Sequence, residues 1–333
     1  MKITVVGSGA WGTALALVLL ENGHDVTLWS HREESARQME ERRENPMLPG
    51  VALPSQLKIT ARLESLSDCR AAVLATPSFA VRETARKIAP LLPHGSAAVL
   101  VSKGIEKETS LRLSQAVREE IGPGHPVVVL SGPSHAEEVS RGIPTALVSA
   151  CEDRLAAEQV QDLFMNERLR VYASPDIVGV ELGAALKNVI ALCAGCCDGL
   201  GYGDNTKAML MTRGLTEMAR LGVAMGAKKE TFAGLTGIGD LIVTCTSMHS
   251  RNRRCGILIG QGVPVERALQ EIGAVVEGYY AAATAHALAE KVGVEMPIAE
   301  AAYQVLYHGK DARGVVGELM TREKKHEIED IWV

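Results

Sequence analysis

The chain has no block of basic residues, no even set of cysteines, no internal repeat and no low-complexity segment. Each absence removes a class of function. A net charge of −5 with no basic run offers little to a phosphate backbone, which argues against nucleic acid as a partner. Seven cysteines at irregular spacing make no disulfide framework and fit a reducing compartment. Cys193, Cys196 and Cys197 have C-x-x-C spacing, but no histidine or second pair stands nearby, so they read as small packing residues and no metal site is expected. No stretch reads as long and apolar enough to cross a bilayer. The apolar start is no secretory leader either: glycines interrupt it, no small-x-small site follows Leu20, and Glu21-Asn22-Gly23 reads as a helix end. The expectation is a cytoplasmic protein without membrane insertion.

What is present is a run of short apolar segments alternating with helical patterns, in a chain of 333 residues long enough for two cored domains. Strands are expected at 2–6, 24–29, 71–75, 97–102, 126–131, 144–149 and 168–172, and the alternation implies an α/β, Rossmann-type, doubly wound and mostly parallel sheet. From Val178 the pattern is helical alone, with helices expected at 178–198, 207–226, 264–271, 278–292 and 297–308. Ser174-Pro175-Asp176 reads as the turn between a dinucleotide-binding domain, 1–175, and an all-helical substrate and catalytic domain, 176–333, with Asp176 able to cap the next helix. The charged tail after Thr321 is expected on the surface.

The first strand runs into Gly7-Ser8-Gly9-Ala10-Trp11-Gly12, and a helical pattern follows from Thr13. In that context the three glycines are a dinucleotide fingerprint: one permits the tight turn, one lets backbone approach a pyrophosphate, and one lets helix pack on strand. The positive helix N-terminus then faces the phosphates. The acidic residue that usually reads an NAD ribose is missing at the end of the second strand, where Ser30-His31-Arg32 stands instead. An arginine there accommodates a 2′-phosphate, so NADP(H) is expected, with NAD(H) also admitted. The alternative is that Arg32 is a solvated charge beside Glu33 and Glu34.

Lys187 lies on a helix face of small and apolar residues, with Gly183, Ala184, Ile190 and Ala191 three or four positions away and no acidic neighbour among them. Desolvation there lowers a lysine pKa toward useful proton exchange, although a lysine can also lay its stem over apolar surface and keep its charge in water. Loops after the strands add Thr76-Pro77-Ser78, Ser102-Lys103-Gly104 and Ser131-Gly132-Pro133-Ser134-His135-Ala136. Of these, Lys103 is placed to meet an anion, and His135 reads as structural. Asp240 and Thr244 share a helix face at i,i+4, where the carboxylate can orient an ammonium and the hydroxyl can hold a substrate oxygen. Ser250-Arg251-Asn252-Arg253 suits a phosphate, or else is a solvated basic turn.

Together Gly7 to Gly12, Ser102-Lys103-Gly104, Ser131 to Ala136, Gly183 to Ala208, Thr236 to Thr244, Ser250 to Arg253 and Val275-Val276-Glu277-Gly278 resemble the bacterial NAD(P)-dependent sn-glycerol-3-phosphate dehydrogenases over nearly the whole chain. The resemblance implies a helical domain of the 6-phosphogluconate dehydrogenase-like kind. It also implies reversible reduction of dihydroxyacetone phosphate to glycerol 3-phosphate for phospholipid synthesis. It makes Lys187 the proton donor and acceptor with Asp240 as its electrostatic partner. It gives substrate contacts to Lys103, Gly132, Ser134, Lys187, Asp240, Ser250, Arg251 and Asn252. Cofactor contacts fall to Gly7, Gly9, Ala10, Trp11, Gly12, His31, Arg32, Lys103, Ala136, Arg251, Val275 and Glu277. The family often has serine where Ala10 stands here, which removes a side-chain bond but leaves the backbone N–H groups. A homodimer is compatible with the chain. The alternatives are a β-hydroxyacid or phosphogluconate type dehydrogenase, and a non-catalytic NADP(H) sensor.

Overall fold

A computed structural model describes residues 1–324, 326 and 327. The apolar segments form β1 (Lys2–Val6), β2 (Asp25–Trp29), β3 (Lys58–Thr60), β4 (Ala71–Leu74), β5 (Ala97–Leu100), β6 (Val127–Ser131), β7 (Thr145–Ala150) and β8 (Leu169–Ser174). Between them run α1 (Ala10–Glu21), α2 (Glu33–Arg42), α3 (Val81–Ile88), α4 (Leu113–Ile121), α5 (Ala136–Val139) and α6 (Arg154–Phe164). The sheet order is β3-β2-β1-β4-β5-β6-β7-β8, and every neighbouring pair is parallel except antiparallel β6 and β7. The order reverses at β1, so a crevice opens beyond the carboxyl ends of β1 and β4, where such sheets bind ligands. One face packs Ile3, Val5, Leu15 and Val160 together, and the other packs Val6, Leu74, Val81 and Val117.

All seven expected strands form. β3 went unforeseen because three partly exposed residues are too short to show a period. α1 starts at Ala10, earlier than expected, because its N-cap is Gly9, which has no capping side chain to mark the start.

The second half contributes α7 (Ile177–Gly199), α8 (Asp204–Ala224), α9 (Lys229–Phe232), a π-helical turn at Leu235–Gly239, α10 (Asp240–Thr246), α11 (Arg251–Gly260), α12 (Val265–Ile272), α13 (Glu277–Val292), α14 (Pro297–His308) and α15 (Ala312–Met320). Asp176 caps α7 by accepting the Gly179 N–H at 2.9 Å, and its other oxygen accepts from Lys228 and Thr231. Residues 321–324, 326 and 327 are exposed, and the rest of the expected surface tail lies outside the described residues.

α7 corrects one expectation. At 23 residues and a mean hydropathy of 1.7 it is long and apolar enough to cross a membrane by length and composition. Its apolar character here serves burial, since 89% of that window lies inside the protein, wrapped by α8, α10, α11, α13 and the π turn. Glu181 and Lys187 within it interrupt the run in the sequence.

The closest packing in the molecule is between α7 and α11. A methyl group on Gly195 would meet the Arg253 carbonyl oxygen at 1.9 Å, and one on Gly256 would meet the Leu192 carbonyl oxygen at 2.0 Å. Backbone on backbone at this spacing needs glycine on both helices. Cys196 belongs to the same crossing, where a methyl on Gly260 would meet its carbonyl oxygen at 2.2 Å. Because α11 opens with Arg251 and Asn252, the crossing sets where those two residues stand. Gly256→Ala is therefore expected to lower stability by about 1–3 kcal/mol, the cost of overpacking. Urea unfolding measures it, and an unchanged midpoint would show that the crossing has slack.

Candidate active site

The turn after β1 sits at the reversal point of the sheet. Gly7 has φ of +125°, a conformation that disfavours a side chain, and a methyl there would also strike the Ala75 carbonyl oxygen at 2.6 Å. A methyl on Gly12 would strike the Gly7 oxygen at 2.0 Å, whereas one on Gly9 would meet nothing within 4 Å. Gly7 and Gly12 are thus required by packing, and the open side of Gly9 is room for a ligand above the uncapped N-terminus of α1. Trp11 Nε1 and Thr76 Oγ1 are buried beside this turn without a partner. Ala10, with only a methyl, adds no polar group. A dinucleotide pyrophosphate fits this cradle. His31 and Arg32 are exposed at the end of β2, and Arg32 is the N-cap of α2. Glu34 is engaged with Arg37 and Gln38, so its charge is partly compensated.

Across the crevice, Lys187 on α7 is 4% exposed. Its Nζ stands 2.9 Å from Asp240 Oδ1 and donates to Thr244 Oγ1 at 2.7 Å. Asp240 Oδ2 accepts from Lys103 Nζ at 2.8 Å, and the same ammonium donates to the Gly132 carbonyl at 2.8 Å and reaches Ser134 Oγ at 3.4 Å. One buried carboxylate therefore lies between two ammoniums. The π turn delivers Asp240 to this position, with Gly183 of α7 letting the Thr236 carbonyl come close. Burial lowers the Lys187 pKa, Asp240 pulls it back up and Lys103 presses it down, leaving it at about 8. Burial pushes Asp240 up, but the two ammoniums outweigh it and hold the carboxyl below the usual range. Thr244 departs from expectation: its hydroxyl accepts from Lys187 and donates to the Asp240 carbonyl at 2.5 Å, so it orients the lysine.

Beside this cluster, Asn188 Oδ1 accepts from Asn252 Nδ2 at 2.9 Å, and Asn252 Oδ1 accepts the Gly278 N–H at 2.8 Å. Ser250 Oγ is the N-cap of α11, accepting from Arg253 N. The two arginines of the run divide. Arg253 is tied to Asp198 by Nε at 2.9 Å and Nη2 at 2.7 Å, while Arg251 is exposed at the start of α11 and acts electrostatically on Glu277. Glu277 is raised by burial, against the pull of Ser78, which donates its Oγ–H at 2.6 Å and its N–H at 3.3 Å. Val275 is partly buried just before it, and Ala136 is buried at the start of α5. His135 Nε2 is buried without a hydrogen-bond partner among the described residues, and burial followed by the Lys187 charge lowers its pKa.

Of the residues singled out from sequence, Lys103, Gly132, Ser134, Lys187 and Asp240 form one hydrogen-bonded network. Asn252, Arg251 and Glu277 flank it, and His31 and Arg32 lie at the far end of the fingerprint turn. Asn188 and Ser78 were not foreseen as functional. Asn188 adjoins Lys187 in sequence and could have been suspected on that ground; Ser78 stands in the strand-end loop Thr76-Pro77-Ser78 noted in the sequence, but its partner Glu277, 199 residues away, was not legible there.

The residues 2–157 match the family model described as NAD-dependent glycerol-3-phosphate dehydrogenase N-terminus, and residues 176–317 match its C-terminus. A glycerol-3-phosphate dehydrogenase [NAD(P)+] of Desulfitobacterium hafniense is 53% identical over 331 residues, 99% of this chain and 94% of that protein. That of Pelotomaculum thermopropionicum is 54% identical over 334 residues, 99% and 96% of the two chains. The crystal structure of glycerol-3-phosphate dehydrogenase from Coxiella burnetii superposes with a TM-score of 0.93 at 39% identity, covering 96% of this chain and 99% of that one. With an NAD(P)-type fingerprint turn and a lysine pair bridged by one buried carboxylate, the chain belongs to the NAD(P)-dependent glycerol-3-phosphate dehydrogenase family.

Proposed function

We propose that this enzyme reduces dihydroxyacetone phosphate reversibly to sn-glycerol 3-phosphate, with NADP(H) preferred and NAD(H) also used. The observation that carries the reading is Lys187, buried, near pKa 8 and held by Asp240 and Thr244 across the crevice from the fingerprint turn. Gly7 to Gly12 would hold the pyrophosphate, with Trp11, Ala136, Val275 and Glu277 along the cofactor and His31 and Arg32 at its adenosine end. The nicotinamide supplies the hydride. Lys187 gives a proton to the ketone oxygen as charge grows there, and Asp240 steadies the ammonium until then. Lys103, with Gly132 and Ser134, lines the carbonyl end. Arg251, Asn252 and Ser250 hold the phosphate, where the fork of an arginine matches its oxygens.

The division at 175/176 belongs to the same reading, residues 1–175 binding the dinucleotide and 176–333 the substrate. So does a role in supplying phospholipid synthesis, which rests on the family. Cytoplasmic location is supported by seven free thiols. A homodimer is compatible with it. The lysine pair speaks against a non-catalytic sensor, and the extent of the family match against a phosphogluconate-type enzyme. Loss of NADPH absorbance on adding dihydroxyacetone phosphate tests the assignment, and turnover of a β-hydroxyacid instead would overturn it.

Lys187→Met keeps length and packing but removes charge and proton, so kcat should fall by roughly 10² to 10⁴, the range for general acid–base catalysis, with NADPH affinity little changed. Near-normal kcat in the folded variant would pass the role to Lys103. The pH profile has a definite sign. Reduction needs the protonated lysine, so its kcat/KM is expected to be level in acid and to fall as pH rises through about 8. Oxidation needs the neutral amine and should rise through the same point. Profiles with no break there would separate Lys187 from the proton transfer.

Arg32→Ala should raise KM for NADPH about tenfold, the worth of one charge-assisted contact, and leave KM for NADH nearly unmoved. Equal losses with both cofactors would show that Arg32 does not read the 2′-phosphate.

A further inference from the structure

We infer that Asn45 is a positioning residue for the dinucleotide, acting through the Ser8–Gly9 peptide. Asn45 is 3% exposed and lies after α2, outside every motif read from the sequence. Its Nδ2 donates to the Ser8 carbonyl at 2.9 Å and to Thr13 Oγ1 on α1 at 2.7 Å, and its Oδ1 accepts the Met47 N–H at 2.9 Å. Both ends of the amide are therefore committed.

The consequence follows from peptide geometry. In a planar trans peptide the N–H of Gly9 points opposite to the carbonyl of Ser8. Pinning that carbonyl onto Asn45 fixes the Gly9 N–H on the other side, away from Asn45. Gly9 is also the fingerprint position with open space around it and the N-cap of α1, which has no side-chain cap. Without the pin, the Ser8–Gly9 peptide can rotate between two flexible flanks, and an anion would have to order it on binding. With it, the first donor of the phosphate cradle is aimed beforehand.

A second effect concerns distance along the cofactor. The chain leaves the fingerprint turn through α1 and β2, reaches Arg32 at the start of α2, and returns at Asn45 to the same turn. Asn45 thus closes a loop that holds Arg32 at a fixed distance from the pyrophosphate position. This inference rests on the cofactor placement proposed above.

The test is the dissociation constant of NADPH, read from its fluorescence, together with steady-state kinetics of Asn45→Ala and Asn45→Asp. Both substitutions remove the Nδ2 donor, while aspartate keeps an acceptor for Met47. The expected result is a rise of about tenfold in Kd and in KM for NADPH for both, the loss expected of one to two hydrogen bonds, with kcat at saturating NADPH and the pH break of Lys187 retained. A purely structural asparagine would lower the melting temperature and the active fraction while leaving KM for NADPH unchanged. That outcome, or full affinity in the aspartate variant, overturns the inference. Should neither variant fold, Asn45→Ser also removes the Nδ2 donor to the Ser8 carbonyl while its hydroxyl can still accept the Met47 N–H, and an unchanged Kd in it overturns the inference equally. Gly9→Ala separates the premise, because its methyl enters space open in the free protein. If it leaves NADPH binding intact, the cofactor placement itself is wrong; if it blocks binding and Asn45→Ala does not, only the role of Asn45 falls.

Discussion

Asp240 sits between two ammoniums, and much of the surrounding structure serves to put it there. A lone carboxylate or lone lysine at this depth would cost several kcal/mol in desolvation. Together the three groups leave one net positive charge, spread over Lys103 from the sheet domain and Lys187 from α7. The arrangement gives the two lysines different work. Lys103 keeps partial contact with solvent and has three acceptors around it, Asp240, Gly132 and Ser134. Lys187 is closed off, and burial outweighs its single carboxylate partner, which brings it within reach of proton exchange near neutral pH.

This local positive charge lies within a chain of net charge −5. A local positive charge in a negatively charged chain favours an anion at that point over the surface at large. Arg251 at the start of α11 extends the same potential, and its freedom depends on Arg253 taking Asp198, which also pairs with Lys207 at 2.6 Å. Two arginines that are nearly adjacent in sequence thus have opposite duties.

The two halves are joined by contacts that bear directly on the site. Arg112 of the sheet domain donates to Glu181 of α7 at 2.5 Å, and Ser114 adds its N–H at 2.8 Å and its hydroxyl at 2.6 Å to the same carboxylate. Glu181 lies under two turns before Lys187 on a helix that cannot bend without breaking its own ladder. Arg82 holds Glu106 by two bonds, near 2.7 Å and 2.8 Å, and so steadies the loop that carries Lys103. Ser78 and Glu277 join the sheet domain to the start of α13. Each of these ties is well buried or doubled, which is where an ion pair contributes more than it does on an exposed surface.

The sequence by itself determined the class of fold and the chemistry on offer. Alternating apolar segments specify a parallel sheet because only crossover helices can cover both faces. Gly7 to Gly12 read as a dinucleotide fingerprint because a strand runs into them and a helix follows, and the structure leaves no room for a side chain at Gly7 and Gly12; Lys187 stands out because nothing acidic lies along its own helix face. Tertiary structure alone decided the rest, since the deciding contacts join residues far apart in the chain. It set the partner of Lys187, turned Thr244 toward the lysine, divided Arg251 from Arg253, and brought Ser78 to Glu277 and Asn45 to Ser8. α7 shows the same limit from the other side. Its composition admits a membrane span, and only the helices wrapped around it make it the core of the second domain.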